Sequence, residues 1–504
     1  MQRLLDWVEK VGNLVPHPAV IFLILIGAVV VLSHLLQMLG LGVTYEVLNP
    51  VTDQLEETTM NARSLLGGDG LRFMWERVVP NFLGFTAMGQ LIVAMIGVGV
   101  AEEAGLINTM IRKLVKLSPR AVLCYIIVLV GIVSSIASNA GYLILVPLAG
   151  VTFLSVGRHP IAGLAAGFAA VAGTFSANLF ITPADAVLVE FTNDAARLID
   201  PSVSIPITAN LWFSIASTLF LMVVVTQVTE RIIEPRLAAH GGYQGGAAAG
   251  GEAVTISGEE YRGLKWAGLA TLGVLLVVGL VALPGSAPLR NQETGVLIGD
   301  SPFMNGLITL ILVVFFAAGV GYGLGAGVFK GTADVIKAIQ KTISGLAGML
   351  FIFFLISQFV AFFNFSNMAT ILAVNLAEAL RAANLGSLSL LIGFILVVAF
   401  IDLFITGGIA KWALLAPIFV PVMMRLEIEP EAVLAAYRIG DSVPNMITPL
   451  LSMYALIIGF FQKYDPKAGI GTVTAMMLPY VLWMLPLWTL LFVVWHLLGL
   501  PWGL

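Results

Sequence analysis

The chain has one cysteine and five histidines in 504 residues, and only 11% of its residues are charged. A lone cysteine, Cys124, permits no disulfide within the chain and no cysteine metal cluster. The histidines (His17, His34, His159, His240 and His496) are scattered, no HExxH occurs, and Cys124 has no histidine close to it in sequence. Metalloprotease and thiol-nucleophile chemistry therefore lack their parts, and an enzyme is not expected. No GxxxxGK[ST] phosphate loop occurs, which argues against a nucleotide-driven pump. A net charge of −4 without a basic patch gives no reason to expect a nucleic-acid partner. No organic or metal cofactor is implied.

What fills the chain instead is apolar: 59% of residues are hydrophobic and the mean hydropathy is +0.98. Apolar runs near 20 residues recur, the length that crosses roughly 30 Å of hydrocarbon. The expected fold is an all-α polytopic membrane protein. Residues 19–41, 82–104, 209–229, 264–283, 303–329, 344–365 and 473–498 read as straight spans. The first is longer than a signal-peptide core, has no convincing cleavage site, and reads as a retained helix. Residues 161–193 and 430–461 read as spans broken at SANLFITPAD and GDSVPNMITP. Residues 121–151 and 387–424 are apolar on both sides of SSIASNAGY and TGGIAKW, but their flanks are too short to span, so each reads as a re-entrant hairpin. That gives about nine transmembrane helices and two hairpins.

A Gly/Ala-rich stretch in 236–263, with GGYQGGAAAGGE at its heart, reads as a cytoplasmic linker between a first half, 1–235, and a second, 264–504. With the N-terminus inside, sixteen basic residues fall in cytoplasmic segments and seven in outer ones. The positive-inside rule thus expects a cytoplasmic N-terminus and a periplasmic C-terminus.

Against this background a few polar residues stand out. Asp402, Lys411, Arg438 and Asp441 lie in or beside apolar segments, where a charge at the bilayer centre costs about 2.5–3.5 kcal/mol on insertion scales. Breakers accompany them: Gly407 and Gly408, Gly440, Pro444 and Pro449. Broken helices with intramembrane charge point to an ion or substrate site lined by freed backbone groups; the plainer reading is a charge pair buried for packing. Ser138, Asn139, Ser176, Asn178, Ser442, Asn445 and Thr448 add hard oxygen ligands at the breaks, or else simply re-satisfy kinked backbone.

Asp441 reads as the central ion ligand or proton carrier, with Asn139 as the partner ligand if the ion is Na⁺. Asp185, beside Pro183, is its counterpart in the first half or else a helix N-cap. Lys411 and Arg438 are expected to meet substrate carboxylates, or to be held by Asp402 and Asp441 when none is bound. Asn178 is a further expected substrate contact. Trp412 offers a flat face to an aromatic ring, or else is an interface tryptophan. Gly407, Gly408 and Pro183 are positions where the chain can change conformation.

The two hairpin tips are related. SNAGYLILVPLAG (138–150) aligns without gaps on GIAKWALLAPIFV (408–420), pairing Ala140 with Ala410, Tyr142 with Trp412, Leu145 with Leu415 and Pro147 with Pro417. Each hairpin precedes a span broken at a Thr-Pro pair, Thr182-Pro183 and Thr448-Pro449. Since hairpin 1 enters from inside and hairpin 2 from outside, the pattern is one of inverted repeats, an architecture of secondary transporters. A channel is the competing class, since hairpins also build selectivity filters.

TGGIAKWALLAPIFVP and AAYRIGDSVPNMITPLLSMYALIIGF strongly resemble the aminobenzoyl-glutamate transporter (AbgT) family, as do GRHPIAGLAAGFAAVAGTFSANLF and the NAGYLILVPLAG tip. The resemblance implies a bacterial inner-membrane homodimer of the ion transporter superfamily, related to divalent anion:sodium symporters. It implies transport of p-aminobenzoyl-glutamate, or export of sulfonamide-type antimetabolites, coupled to Na⁺ or H⁺; a Na⁺-coupled carboxylate importer is the neighbouring alternative. The family's functional positions fall on Asp185, Trp412, Pro430, Arg438, Asp441 and Pro449, Pro430 as a conformational position and Pro449 beside the substrate. Two departures stand out. Gly407-Gly408-Ile409 replaces a common Ser-Gly-Ser, and Asp402 stands where the family tends to place a neutral polar residue.

Overall fold

The computed structural model describes residues 16–49, 54–137, 141–239, 256–382 and 386–504. Ser138 and Asn139 at the tip of hairpin 1, and the Gly/Ala-rich heart of the expected linker, lie outside the described residues.

The chain is almost entirely helical. In order, its main helices are α1 Pro18–Met38, α2 Thr86–Glu103, α3 Leu106–Lys116, α4 Leu123–Val133, α5 Val146–Ser155, α6 Pro160–Ala172, α7 Pro183–Ala196, α8 Leu211–Val228, α9 Gly258–Ala282, α10 Leu307–Gly325, α11 Thr332–Gly345, α12 Ala347–Phe365, α13 Met368–Ala382, α14 Ser387–Asp402, α15 Gly408–Met424, α16 Pro430–Ser442, α17 Tyr454–Gln462 and α18 Ile470–Leu497. Among the described residues, seven helices are long and apolar enough to cross a membrane: α1, α2, α8 with its continuation to Ala239, α9, α10, α12 and α18. These are the seven straight spans expected from hydropathy. Among the described residues the β-structure is one antiparallel ribbon in the polar excursion after α1, β1 (Gly42–Asn49) and β2 (Gln54–Asn61), with Gly42 opposite Asn61.

The remaining helices are short, and the same order of pieces occurs twice. α3 turns through 115° into the helix that begins hairpin 1, and α13 turns through 119° into α14, which begins hairpin 2. Hairpin 1 runs through α4, a 3₁₀ turn at Ser134–Ala137, a π-helical turn at Gly141–Leu145 and α5. Hairpin 2 is α14, an irregular tip at 403–407, and α15. After each comes a broken span: α6 and α7 with a break at 173–182, then α16 and α17 with a 3₁₀ turn at Val443–Met446 inside the break.

Burial is deepest in the helices that lead into the breaks. Every residue of α6 is buried, as is all of α16 from Ala432 to Ser442, whereas only 6% of the apolar window of α9 is. In a bilayer an exposed Leu-rich face costs nothing, so the long helices can form the wall. The broken helices must instead satisfy freed backbone groups with protein partners, which places them inside. Their composition allows it: α6 is mostly Ala and Gly, and small residues let helix backbones approach. The outer layer uses the same device, since an added Cβ at Gly97 of α2 would sit 2.4 Å from the Leu312 carbonyl oxygen of α10.

Gly440 corrects an expectation. It does not break the helix, since α16 continues through it to Ser442 and the break begins at Val443. Its role is packing: a Cβ there would lie 2.6 Å from the Ile395 carbonyl oxygen and 2.7 Å from Val398, both on α14. That close approach brings Asp402 at the end of α14 alongside Asp441 on α16. Pro430 is likewise the first residue of α16, where its missing N–H and fixed φ suit a helix start.

Candidate ion and substrate site

The two breaks and the tip of hairpin 2 meet in the protein interior, and backbone groups freed by one are answered by side chains of another. The Ser176 N–H in the first break donates to Ser442 Oγ (3.1 Å), whose own O–H donates to the Arg438 carbonyl (2.7 Å). Thr448 in the second break donates to the Leu403 carbonyl at the hairpin tip (2.9 Å). Asn178 donates to Ser135 Oγ of hairpin 1 (2.8 Å), and its backbone exchanges two hydrogen bonds with Ser214 of α8. Asn445 donates to the Asp441 carbonyl (2.7 Å), while its own buried Oδ1 has no hydrogen-bond partner among the described residues. Pro449 lies half-buried in the second break.

Five charged side chains converge here. Lys411, on the first turn of α15 and fully buried, is in contact with Asp402 and lies 2.9 Å from Asp441 Oδ1. At that depth it does not reach up to the bilayer interface. Asp441 also takes hydrogen bonds from Tyr437 (3.0 Å) and Ser176 (3.3 Å). Arg438 pairs with Asp185 (2.5 Å), not with Asp441, and donates to Asn210 Oδ1 (3.1 Å) and the Ser176 carbonyl (3.3 Å). The expected assignment of Arg438 to the Asp402–Asp441 pair is thus replaced by a pairing across the two halves of the chain. Three carboxylates against two cations leave this cluster one formal negative charge in excess.

Asp185 caps a helix and pairs with a cation at the same time. Its Oδ2 accepts from the Thr182 N–H (2.6 Å) and hydroxyl (2.8 Å), closing a capping box at the start of α7, while Oδ1 faces Arg438. An asparagine cannot do both: if its oxygen caps the helix, its amide presents donors to a guanidinium. Asp185→Asn is therefore expected to cost about 3 kcal/mol of stability, at the low end for breaking a buried pair because Asp185 is partly exposed, and to lower transport sharply. Full wild-type flux in Asp185→Asn, at matched expression in proteoliposomes, would show that the cap alone matters.

Gly408 sits tight against the site. Its Cα packs on Asp441 so closely that an added Cβ would lie 2.8 Å from Oδ2. Gly407, the N-cap of α15, has no comparable crowding. Ser176, Asn178, Thr182, Asp185, Gly408, Arg438 and Asp441 line a cavity of about 20 Å³, room for about one water. A site for a drug-sized molecule measures several hundred Å³, so the cavity as it stands holds nothing that large.

Trp412 is fully buried one layer behind that cavity, which excludes the bilayer-interface reading. Its indole N–H lies 3.0 Å from both the Leu188 carbonyl and Thr192 Oγ1 of α7, and its ring lies 4.4 Å from that of Tyr437. In this arrangement it positions Tyr437, and through it Asp441. Trp412→Phe keeps an aromatic ring but loses the hydrogen bond, worth about 0.5–1.5 kcal/mol, and leaves a small void in place of the second indole ring. It is expected to lower transport a few-fold for all substrates alike. A rise in half-saturating concentration confined to aromatic substrates would instead place the ring against substrate.

Sequence reading passed over Tyr437 and Asn210. Tyr437 was findable, since it lies one helical turn before Asp441 and so shares its face. Asn210 had no local signal, because it reaches Arg438 only through the packing of α8 on the breaks.

The arrangement has known counterparts. A sequence profile described as the "AbgT putative transporter family" matches residues 3–504. The p-aminobenzoyl-glutamate transport protein of Escherichia coli (strain K12) is 33% identical over 501 residues, covering 99% of this chain and 96% of that protein. The crystal structure of the Alcanivorax borkumensis YdaH transporter superposes with a TM-score of 0.90 at 41% identity, covering 97% of this chain and all of that one. Neisseria gonorrhoeae MtrF, whose structure is said to illuminate a class of antimetabolite efflux pumps, superposes with a TM-score of 0.91 at 39% identity, covering 98% and 97%.

Proposed function

Since this chain belongs to the AbgT family of transporters, we propose that it moves p-aminobenzoyl-glutamate or related folate-pathway compounds across the bacterial inner membrane, coupled to Na⁺ or H⁺. Sulfonamide antimetabolites are the candidate export substrates. The observation that carries the coupling is the buried five-charge cluster with its unbalanced negative charge. A glutamyl group brings two more negative charges, and a low-dielectric site accepts them only with co-bound cations.

The roles follow from position. Asp441, with Ser442, Asn445 and Thr448 around the second break, holds the ion; Ser138 and Asn139, which lie outside the described residues, are the further ligands that the sequence suggests. Arg438 and Lys411 meet substrate carboxylates, with Asn178 and Pro449 beside them, and Asp185 and Asp402 return the charge when substrate leaves. The repeats 1–235 and 264–504 rock against each other around this point, with motion taken up at Gly407, Gly408, Pro183 and Pro430. A homodimer with cytoplasmic N-terminus and periplasmic C-terminus completes the reading.

Radiolabelled p-aminobenzoyl-glutamate flux in proteoliposomes, with Na⁺ and pH gradients imposed separately, tests the proposal. Saturable flux driven by one of the two gradients is expected. Non-saturable flux indifferent to both would return the channel reading.

A further inference from the structure

Asp402 is the carboxylate of the cluster with the poorest partners. It is fully buried at the end of α14; one oxygen contacts Lys411, and the other, Oδ2, is buried with no hydrogen-bond partner among the described residues. An ionised carboxylate is acceptor-only, with several lone-pair sites to satisfy. Among the described residues Asp402 has a single donor for them, and that donor is shared with Asp441. Asp441 by contrast receives Lys411, Tyr437 and Ser176.

The other ionisable groups around Asp402 do not supply the missing donor. Besides Lys411 on α15, α16 contributes Asp441, Tyr437 and Arg438. The Tyr437 hydroxyl is taken up by Gly408 and Asp441, and the Arg438 guanidinium by Asp185, Asn210 and Ser176. Tyr142, on the π-helical turn of hairpin 1, lies within electrostatic range of both Asp402 and Asp441. The turn at Val443–Met446 has no ionisable side chain. The two of α18 are engaged elsewhere, Tyr480 with Thr229 and His496 against Phe492.

We infer that Asp402 is the residue that carries a coupling proton, and that its protonation sets how Lys411 is divided between Asp402 and Asp441. The step is a simple proton transfer. The carboxylate gains H⁺ on Oδ2 and becomes a neutral acid, Lys411 keeps its ammonium protons, and no electrons move. With Asp402 neutral, Lys411 belongs to Asp441 alone and the five-group cluster carries no net charge. When Asp402 loses the proton, its charge draws Lys411 back and leaves Asp441 less compensated, ready for a cation. A proton suits this position better than Na⁺, because a metal ion there would lie beside an ammonium and find one free oxygen.

The inference deepens the ion-coupled reading above, and its test separates the two. Infrared difference spectra of the purified full-length protein, taken from alkaline to acidic pH, should show the C=O band of a buried protonated carboxyl. That band should be lost in Asp402→Asn and retained at a shifted position in Asp402→Glu. In proteoliposomes, the response of p-aminobenzoyl-glutamate accumulation to an imposed pH gradient should be lost in Asp402→Asn. The absence of the band in wild type, its full persistence in Asp402→Asn, or a wild-type response to the pH gradient in that variant would each overturn the assignment. Failure of wild type to carry p-aminobenzoyl-glutamate at all would instead overturn the transport reading, and the spectra would still decide Asp402.

Discussion

Asp441→Ala is expected to abolish gradient-driven transport while leaving folded protein in the membrane. The reason lies in what the substitution leaves behind. Lys411 loses one of its two carboxylates but keeps Asp402, so the remaining pair is neutral and no buried charge is stranded. Arg438 is untouched, because its partner is Asp185. The loss falls instead on the cavity, where Asp441 is the carboxylate that faces both Ser176 and Gly408. A charged hydrogen bond is worth about 1.5–3 kcal/mol, and each 1.4 kcal/mol or so is tenfold in affinity. With the ion on Asp441, as proposed, losing that one charged contact lowers ion affinity by about ten- to a hundredfold, and gradient-driven flux falls with it. Proteoliposome uptake at matched expression, with thermal unfolding in detergent as the control for folding, measures both parts. Wild-type flux would remove Asp441 from the ion site. An unfolded variant would show that Asp402 alone does not hold Lys411.

Lys411→Met should have the opposite character, a failure of stability first. It removes the only cation that contacts Asp402 among the described residues and one of the groups that holds Asp441, so two carboxylates face each other in an apolar interior. Breaking a buried ion pair from one side costs about 3–5 kcal/mol, because a charge is left without compensation. Adding Asp402→Asn should recover much of that loss, since a single carboxylate with Tyr437 and Ser176 as donors then remains. Thermal midpoints of the two single variants and the double variant form a cycle whose coupling measures the pair. Additive losses would mean that Lys411 and Asp402, although in contact, are stabilised independently by their surroundings.

Both predictions depend on which carboxylate belongs to which cation, and this is where sequence and structure part. The intramembrane charges were legible at once, because Asp402, Lys411, Arg438 and Asp441 stand in runs where charge is costly. Their pairing was not. Arg438 and Asp441 are three residues apart on one helix, which invites a local pair, yet Arg438 turns to Asp185, 253 positions away. Trp412 was legible as a residue next to the tip, but whether its ring faces substrate, lipid or another helix depends on α7, to which its N–H is bonded. Gly440 read as a breaker because glycine next to a charge and a proline looks like an interruption. The structure uses it to bring α14 and α16 together instead.

By itself the sequence determined the membrane class, the seven straight spans, the two hairpins and the two broken helices. All of these rest on local quantities: the length of an apolar run against the thickness of hydrocarbon, and the presence of breakers inside it. Only the tertiary structure decided that the two breaks cross, that Lys411 serves two carboxylates, and that the cluster carries a surplus negative charge. Those facts depend on helix phase and on the direction of side chains from segments hundreds of residues apart. Hydropathy carries no information about either, since a residue on any face of an apolar helix contributes equally to the sum.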